Sequence, residues 1–206
     1  MTQMKPHDLI GIADVAAKIP AFLIKVPNLL TGLRQAYLRT PNTPAGLGLA
    51  FEKASQRNPE GIALRFEDQS YSYTTLNAWA NQIAHFYLSL GAKKGDVVAL
   101  MVENRPELIA SVLGLAKLGV TTALVNTSQV GKVLTHSINL VKPIAVIVGE
   151  ECRNAVNEIR DDLNISSDRL HWFADQNTQA DPDQAPAGFI NLAEKIDLSP
   201  KFNPPT

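Results

Sequence analysis

Between residues 97 and 126 the chain runs VVALMVENRPELIASVLGLAKLGVTTALVN, and apolar and polar positions there change period twice. Residues 97–102 are a continuous, β-branched apolar block that stops at the polar turn Glu103, Asn104, Arg105, which predicts a buried strand. Pro106 and Glu107 suit the first turn of a helix: proline fits the first helical position, and a carboxylate complements the helix dipole. Leu108, Ile109, Val112, Leu113, Leu115, Ala116 and Leu118 then recur at helical steps, and Gly119 is the expected cap. A second β-rich block over 120–125 completes a strand–helix–strand unit. Such units cross over with one hand between parallel strands. The expectation is therefore an α/β fold of parallel βαβ layers with flanking helices.

The same reading extends in both directions. A helix is predicted over 46–58, ending before Pro59, then a β-hairpin of strands 62–66 and 70–73 joined by Glu67, Asp68 and Gln69. Thr74 is the expected N-cap of a long helix reaching Leu90, with Leu76, Trp79, Ala80, Ile83, Ala84 and Tyr87 on its buried face. After the central unit come a helix over 130–141, a strand over 144–148, a charged surface helix over 151–163 and a strand over 170–173. The Asp-, Gln- and Pro-rich stretch 174–188 reads as an exposed loop, 190–196 as a short apolar element, and 201–206 as a connector. No internal repeat is present.

Ahead of the turn-rich boundary Thr40–Pro44, the apolar residues Ile12, Val15, Ile19, Phe22, Val26, Leu30 and Leu33 fall on one helical face. This amphipathic leader, expected to bend at Pro20 and Pro27, is too interrupted by Lys18 and Lys25 to be a transmembrane span and lacks the form of a secretory signal. Periodicity leaves two explanations open: the stripe packs on the rest of the protein, or it lies in a membrane interface.

Composition narrows the chemistry. At 206 residues and 45% hydrophobic the chain can bury a sizeable core, and a net charge of -1 disfavours nucleic acid, whose phosphates call for a basic face. The single cysteine, Cys152, excludes an intramolecular disulfide and fits a reducing compartment. No GxxxxGK loop, GxGxxG turn or GxSxG elbow occurs, and His7, His85, His136 and His171 lack metal-cluster spacing. The pairs Glu150–Glu151 and Asp161–Asp162 read as solvated helix ends and faces. Arg105, at the carboxyl end of a central strand where open α/β sheets place ligands, is expected in a surface salt bridge, with an anion contact as the alternative. From the residues alone the catalytic, cofactor-binding and metal sites are none.

Residues 47–149 nonetheless resemble the start of the AMP-forming acyl-CoA synthetases of the adenylate-forming superfamily. The resemblance is carried by NPEGIALRFEDQSYSYTTLNAWANQIAHF with its Tyr73-x-x-Leu76 helix entry, by GAKKGDVVALMVENRPELIASVLGLAKLGVTTALVNT with Leu115-x-x-x-Gly119, and by GKVLTHSI. LGLAKLG followed by LVNT, Gly131 and His136 is most similar to the fatty acid transport protein, or very-long-chain acyl-CoA synthetase, branch. The position before Gly131, where that branch usually carries arginine, is Val130.

The resemblance implies that the chain is the N-terminal portion of a larger domain: a leader over 1–40, the first part of the AMP-binding domain over 41–173, and a loop and connector over 174–206 toward the phosphate-binding region. It implies a parent enzyme that uses ATP, Mg2+ and coenzyme A to convert a long-chain fatty acid to its acyl-adenylate and then its thioester. This chain alone would be inactive. A membrane-partitioning substrate tips the leader toward the membrane, with Ile12, Val15, Lys18, Ile19, Phe22, Lys25, Val26, Leu30 and Leu33 as the contact residues and a cytoplasmic location, peripheral on the inner face. An interrupted sheet would also expose an edge for self-association. The competing expectation is a self-sufficient binding or membrane-interaction module built on the same half of the fold.

Overall fold

The computed structural model describes residues 46–174 and 184–205, together with 19–20, 23, 26–27 and 29–33 of the leader. It divides into two compact units, Met1–Pro44 and Ala45–Thr206. In the first, all described residues are helical, and Thr31 Oγ1 donates to the Pro27 carbonyl at 2.8 Å. Among the expected contact residues, Ile19, Leu30 and Leu33 are exposed and Val26 is half-buried, while Ile12, Val15, Lys18, Phe22 and Lys25 lie outside the described residues. No described helix is long and apolar enough to cross a membrane.

The second unit begins with helix α1 (Leu47–Arg57), the antiparallel hairpin β1 (Ile62–Phe66) and β2 (Gln69–Ser72), and helix α2 (Tyr73–Ser89). There follow β3 (Val97–Met101), α3 (Pro106–Lys117), β4 (Thr121–Leu124), α4 (Gly131–Leu140), β5 (Ala145–Gly149), α5 (Arg153–Glu158), β6 (Leu170–Phe173), β7 (Ile190–Asn191) and α6 (Leu192–Asp197). The five strands β3 to β7 form one parallel sheet in the order β4-β3-β5-β6-β7. Strands β3 and β5 are buried on both faces: Val98 and Leu100 of β3 and Ala145 and Ile147 of β5 enter one core with α2 and α3. Ala99, Met101, Val146 and Val148 enter the other with Leu134 and Ile138 of α4 and Val156 of α5. Strands covered on two sides read as unbroken apolar runs, which is why β3 and β5 stood out in the sequence.

Local chemistry sets the element ends. Gly119 takes φ 69°, and the amides of Gly119 and Val120 return to the Ala116 and Leu115 carbonyls, closing α3 as its sequence predicts. Helix α2 is capped by Ser72, whose hydroxyl accepts from the Thr75 amide at 3.1 Å, and not by Thr74. The Thr74 hydroxyl is turned instead to the Pro59 carbonyl, tying the helix start to the turn before β1. The expected helix over 151–163 breaks into α5 between two 3-10 turns, Glu150–Cys152 and Arg160–Asp162. Past the second turn the Asn139 side chain holds the chain to α4: its amide donates to the Asp162 carbonyl and its oxygen accepts from the Asn164 amide. Ile190 to Ile196 also divides, into β7 beside β6 and then α6, which the Asn191 side chain caps.

Residues 199–205 are not a free connector. They run along α2, where Asn81 donates to the Lys201 carbonyl at 2.7 Å, Asn77 to the Asn203 side chain at 3.1 Å, and His85 Nε2 meets the Phe202 carbonyl at 3.0 Å. Asn77, Asn81 and His85 are spaced by four residues and so share one helix face. Lys117, with a side chain only 1% exposed, pairs with Glu52 at 2.5 Å and also reaches Asn203. Burial lowers its pKa against the opposing pull of the Glu52 hydrogen bond and charge.

The two helices over the first core meet at Gly114, where a Cβ would lie 2.6 Å from the Ala80 carbonyl oxygen and 2.9 Å from Ile83 Cβ. Gly114→Ala is expected to destabilise the unit by about 1–3 kcal/mol through overpacking, despite alanine's better helix propensity. A lowered urea midpoint in equilibrium unfolding checks it.

Candidate functional site

The connection from β3 to β4 leaves to one side of β3, and the next crosses back to place β5 on the other. The sheet order therefore reverses between β3 and β5, and open α/β sheets bind ligands in the crevice at the carboxyl ends of such strands. Two short segments meet there: Glu103, Asn104 and Arg105 leaving β3, and Glu150 and Glu151 leaving β5.

Arg105 corrects the sequence reading. It is 8% exposed and lies within the crevice, not on the surface. Nη1 donates to the Ala174 carbonyl at 2.7 Å and Nη2 to the Phe173 carbonyl at 3.3 Å, so the guanidinium takes up the backbone acceptors at the end of β6. Glu107 Oε2 lies 3.5 Å from Nη1 and Glu151 Oε2 lies 3.4 Å from Nη2. The other Glu151 oxygen accepts from the Glu103 amide at 2.6 Å. Glu150 is engaged as well, accepting from Trp172 Nε1 at 2.8 Å and from Arg153 Nε at 3.0 Å. The Glu150–Glu151 pair is thus a structural seam and not a solvated helix end. Both carboxylates recruit donors distant in sequence, which a charge pattern along the chain does not reveal.

Between the ends of β3 and β4 an open groove of about 490 Å3 is lined by Leu100, Val102, Leu108 and Leu124 and by the polar Glu103, Asn104, Asn126 and Thr127. Leu124 is 65% exposed, so the β4 side of the groove is apolar toward solvent. Asn126 shapes its rim by accepting the Ser128 amide on its own side chain.

Four other titratable groups among the described residues are set by burial or exposure. Tyr87 Oη and His171 Nδ1 meet at 2.6 Å inside the first core, both fully buried. Burial raises the Tyr87 pKa well above its ordinary value and, with a smaller push from Arg169, lowers His171 from 6.5 to about 4. The pair is a neutral buried hydrogen bond. Tyr87 was legible as a core position, but its partner 84 residues away was not. Burial, reinforced by the Glu151 and Glu103 carboxylates, pushes the Cys152 thiol up to about 12, which leaves it unreactive at neutral pH. His136 is exposed on α4, away from other histidines. Among the described residues no group of His, Cys, Asp and Glu could hold a metal ion. Arg105 is committed to carbonyls and carboxylates of its own chain, and among the described residues no glycine-rich loop offers a nest of amides, so these residues do not fit an ATP–Mg2+ group.

Residues 51–201 match the AMP-binding enzyme family, and the chain belongs to that adenylate-forming superfamily. Within it, the chain is 31% identical over 152 residues to the medium/long-chain-fatty-acid–CoA ligase FadD6 of Mycobacterium tuberculosis, covering 74% of this chain and 26% of that protein. It is 33% identical over 153 residues to the human long-chain fatty acid transport protein 6, covering 73% of this chain and 23% of that one. The chain thus spans about a quarter of the length of these relatives. Among solved structures, the fold is similar to the anthranilate CoA ligase AuaEII bound to anthranoyl-AMP, at a TM-score of 0.69 and 18% identity over 78% of this chain and 30% of that one. It is also similar to a Mycobacterium tuberculosis fatty acyl CoA synthetase, at 0.61 and 23% over 77% and 29%. The α/β architecture expected from the sequence, with parallel sheet, hairpin and flanking helices, is part of the adenylate-forming domain.

Proposed function

We propose that this chain is the N-terminal portion of an ATP-dependent long- or very-long-chain fatty acid:CoA ligase, and that it serves as scaffold without catalysing either half-reaction alone. The observation that carries this is the match of residues 51–201 to the family together with a span of only about a quarter of its fatty-acid-ligase relatives. The described residues support it: Arg105, Glu150 and Glu151 at the sheet reversal are engaged in holding strands together, and the buried His171 and Cys152 are held in unreactive forms. The chain's own contribution is to fix the ends of β3, β5 and β6 against one another, a rigid floor on which the fatty-acid and nucleotide sites of a complete enzyme are built. In an ATP–pyrophosphate exchange assay with oleate, the purified chain is expected to give no turnover above a blank. Oleate-dependent exchange would overturn the scaffold reading.

The leader is proposed to rest in a membrane interface, with Ile12, Val15, Ile19, Phe22, Val26, Leu30 and Leu33 toward the acyl boundary and Lys18 and Lys25 toward headgroups. Exposure of Ile19, Leu30 and Leu33 supports this, because apolar side chains left open in a helix call for cover. Co-sedimentation with anionic liposomes is expected for the intact chain and lost on removal of residues 1–40; equal sedimentation of the two would sink it.

A further inference from the structure

We propose that the crevice at the β3/β5 reversal is an anion site whose occupant is the chain's own Glu151 carboxylate, and that a small free carboxylate takes the same place when that side chain is removed. Independent features of the crevice agree on this. The donors are those an anion site requires: the Glu103 amide, 2.6 Å from Glu151 Oε1, and the guanidinium of Arg105, itself more than nine-tenths buried. The space is made by Gly149, where a Cβ would collide with the Glu151 carboxylate. Gly149 has φ -76° and ψ 154°, a conformation open to any residue, so its missing side chain serves the cavity and not the backbone.

The seating is also incomplete. Arg105 Nε and Glu151 Oε2 are both buried without a hydrogen-bond partner, and Oε2 stays 3.4 Å from Arg105 Nη2 in an ion pair that lacks hydrogen-bond geometry. Glu151 is tethered to the 3-10 turn that follows β5, which limits how far its carboxylate can turn toward the guanidinium. A free carboxylate has no tether and can satisfy both donors. Glu107 faces Arg105 across Nη1 and remains in place when Glu151 is removed, so the vacancy belongs to the Nη2 side. While Glu151 is seated the place is closed, and the intact protein binds no external anion there.

The test is thermal unfolding of the full chain in rising sodium formate, at ionic strength held constant with sodium chloride. Glu151→Ala is expected to melt below the natural chain and to regain part of the difference along a saturating formate curve. The natural chain is expected to give no such curve. Glu151→Ala combined with Gly149→Ala, whose methyl group fills the carboxylate's place, is expected to lose the formate response while keeping its fold. If Glu151→Ala alone does not fold, refolding yield in formate against chloride reads the same site: recovery specific to formate supports it, and equal yields overturn it. A formate response in the natural chain, or one that survives the Gly149→Ala change, also overturns it.

Discussion

Arg105→Ala is expected to lower the unfolding free energy of the second unit by about 3–5 kcal/mol, the usual result of breaking a buried charge constellation from one side. The loss is large because the guanidinium answers for several groups at once. Without it, the Phe173 and Ala174 carbonyls lose a charged donor, and the Glu151 and Glu107 carboxylates lose their cation in a place from which water is largely excluded. Native domains are stable by about 5–15 kcal/mol, so the variant would sit near the edge of folding. Arg105→Lys is expected to recover little, since an ammonium has no planar fork with which to reach two carbonyls while facing two carboxylates. Urea titrations monitored at Trp172, whose indole is bonded to Glu150 in the same seam, give the comparison directly. A loss under about 1 kcal/mol, the scale of an exposed ion pair, would contradict the buried role assigned to Arg105.

Acid should weaken the fold through His171. Its pKa falls from 6.5 to about 4 on burial, chiefly because a charged imidazolium in the first core would be stripped of water. The unfolded chain therefore binds a proton below pH 6.5 that the folded chain accepts only near pH 4, and stability drops as pH falls through that window. The contribution is fully present above pH 6.5. It is expected to shrink by about 1.4 kcal/mol per pH unit at its steepest, and by about 3 kcal/mol in all by pH 4. His171→Phe, which removes the titrating group, should flatten the difference in stability between pH 7 and pH 4.5 relative to the natural chain. Tyr87→Phe should destabilise at every pH, because Nδ1 then loses its bonding partner in the core. Parallel pH profiles for the natural chain and His171→Phe would rule out this assignment.

The parts of the fold that could be read from the sequence are those governed by neighbours along the chain. The β3–α3–β4 unit announced itself because burial on both faces leaves no polar position in β3, and because Pro106 and Gly119 mark the helix ends by backbone chemistry alone; β4, at the sheet edge, keeps Thr121 and Thr122 and was read from its β-branched residues. The hairpin and the apolar face of α2 followed from the same short-range rules. What escaped depends on partners brought together only by folding. Arg105 looked like a surface cation because its acceptors, the Phe173 and Ala174 carbonyls, are 68 and 69 residues away. Glu150 and Glu151 looked solvated because their donors, Trp172 and the Glu103 amide, are 22 and 48 residues away. Thr74 was a reasonable cap, but Ser72, two residues earlier, takes the role and leaves Thr74 to the Pro59 carbonyl. The helix expected over 151–163 ends as an α-helix at Glu158, and the asparagine that anchors the residues after it lies on α4.

The run of chain clasped by Asn77, Asn81 and His85 bears on how shortened versions should be cut. A stop placed after Asp197 looks harmless on paper, since it follows the last helix. It would strip the cover from one side of α2 and take away the second contact of Lys117. Expression boundaries belong beyond Pro204, which is itself buried, and a purification tag appended there should be given a spacer so that it does not pull this ribbon from its seat.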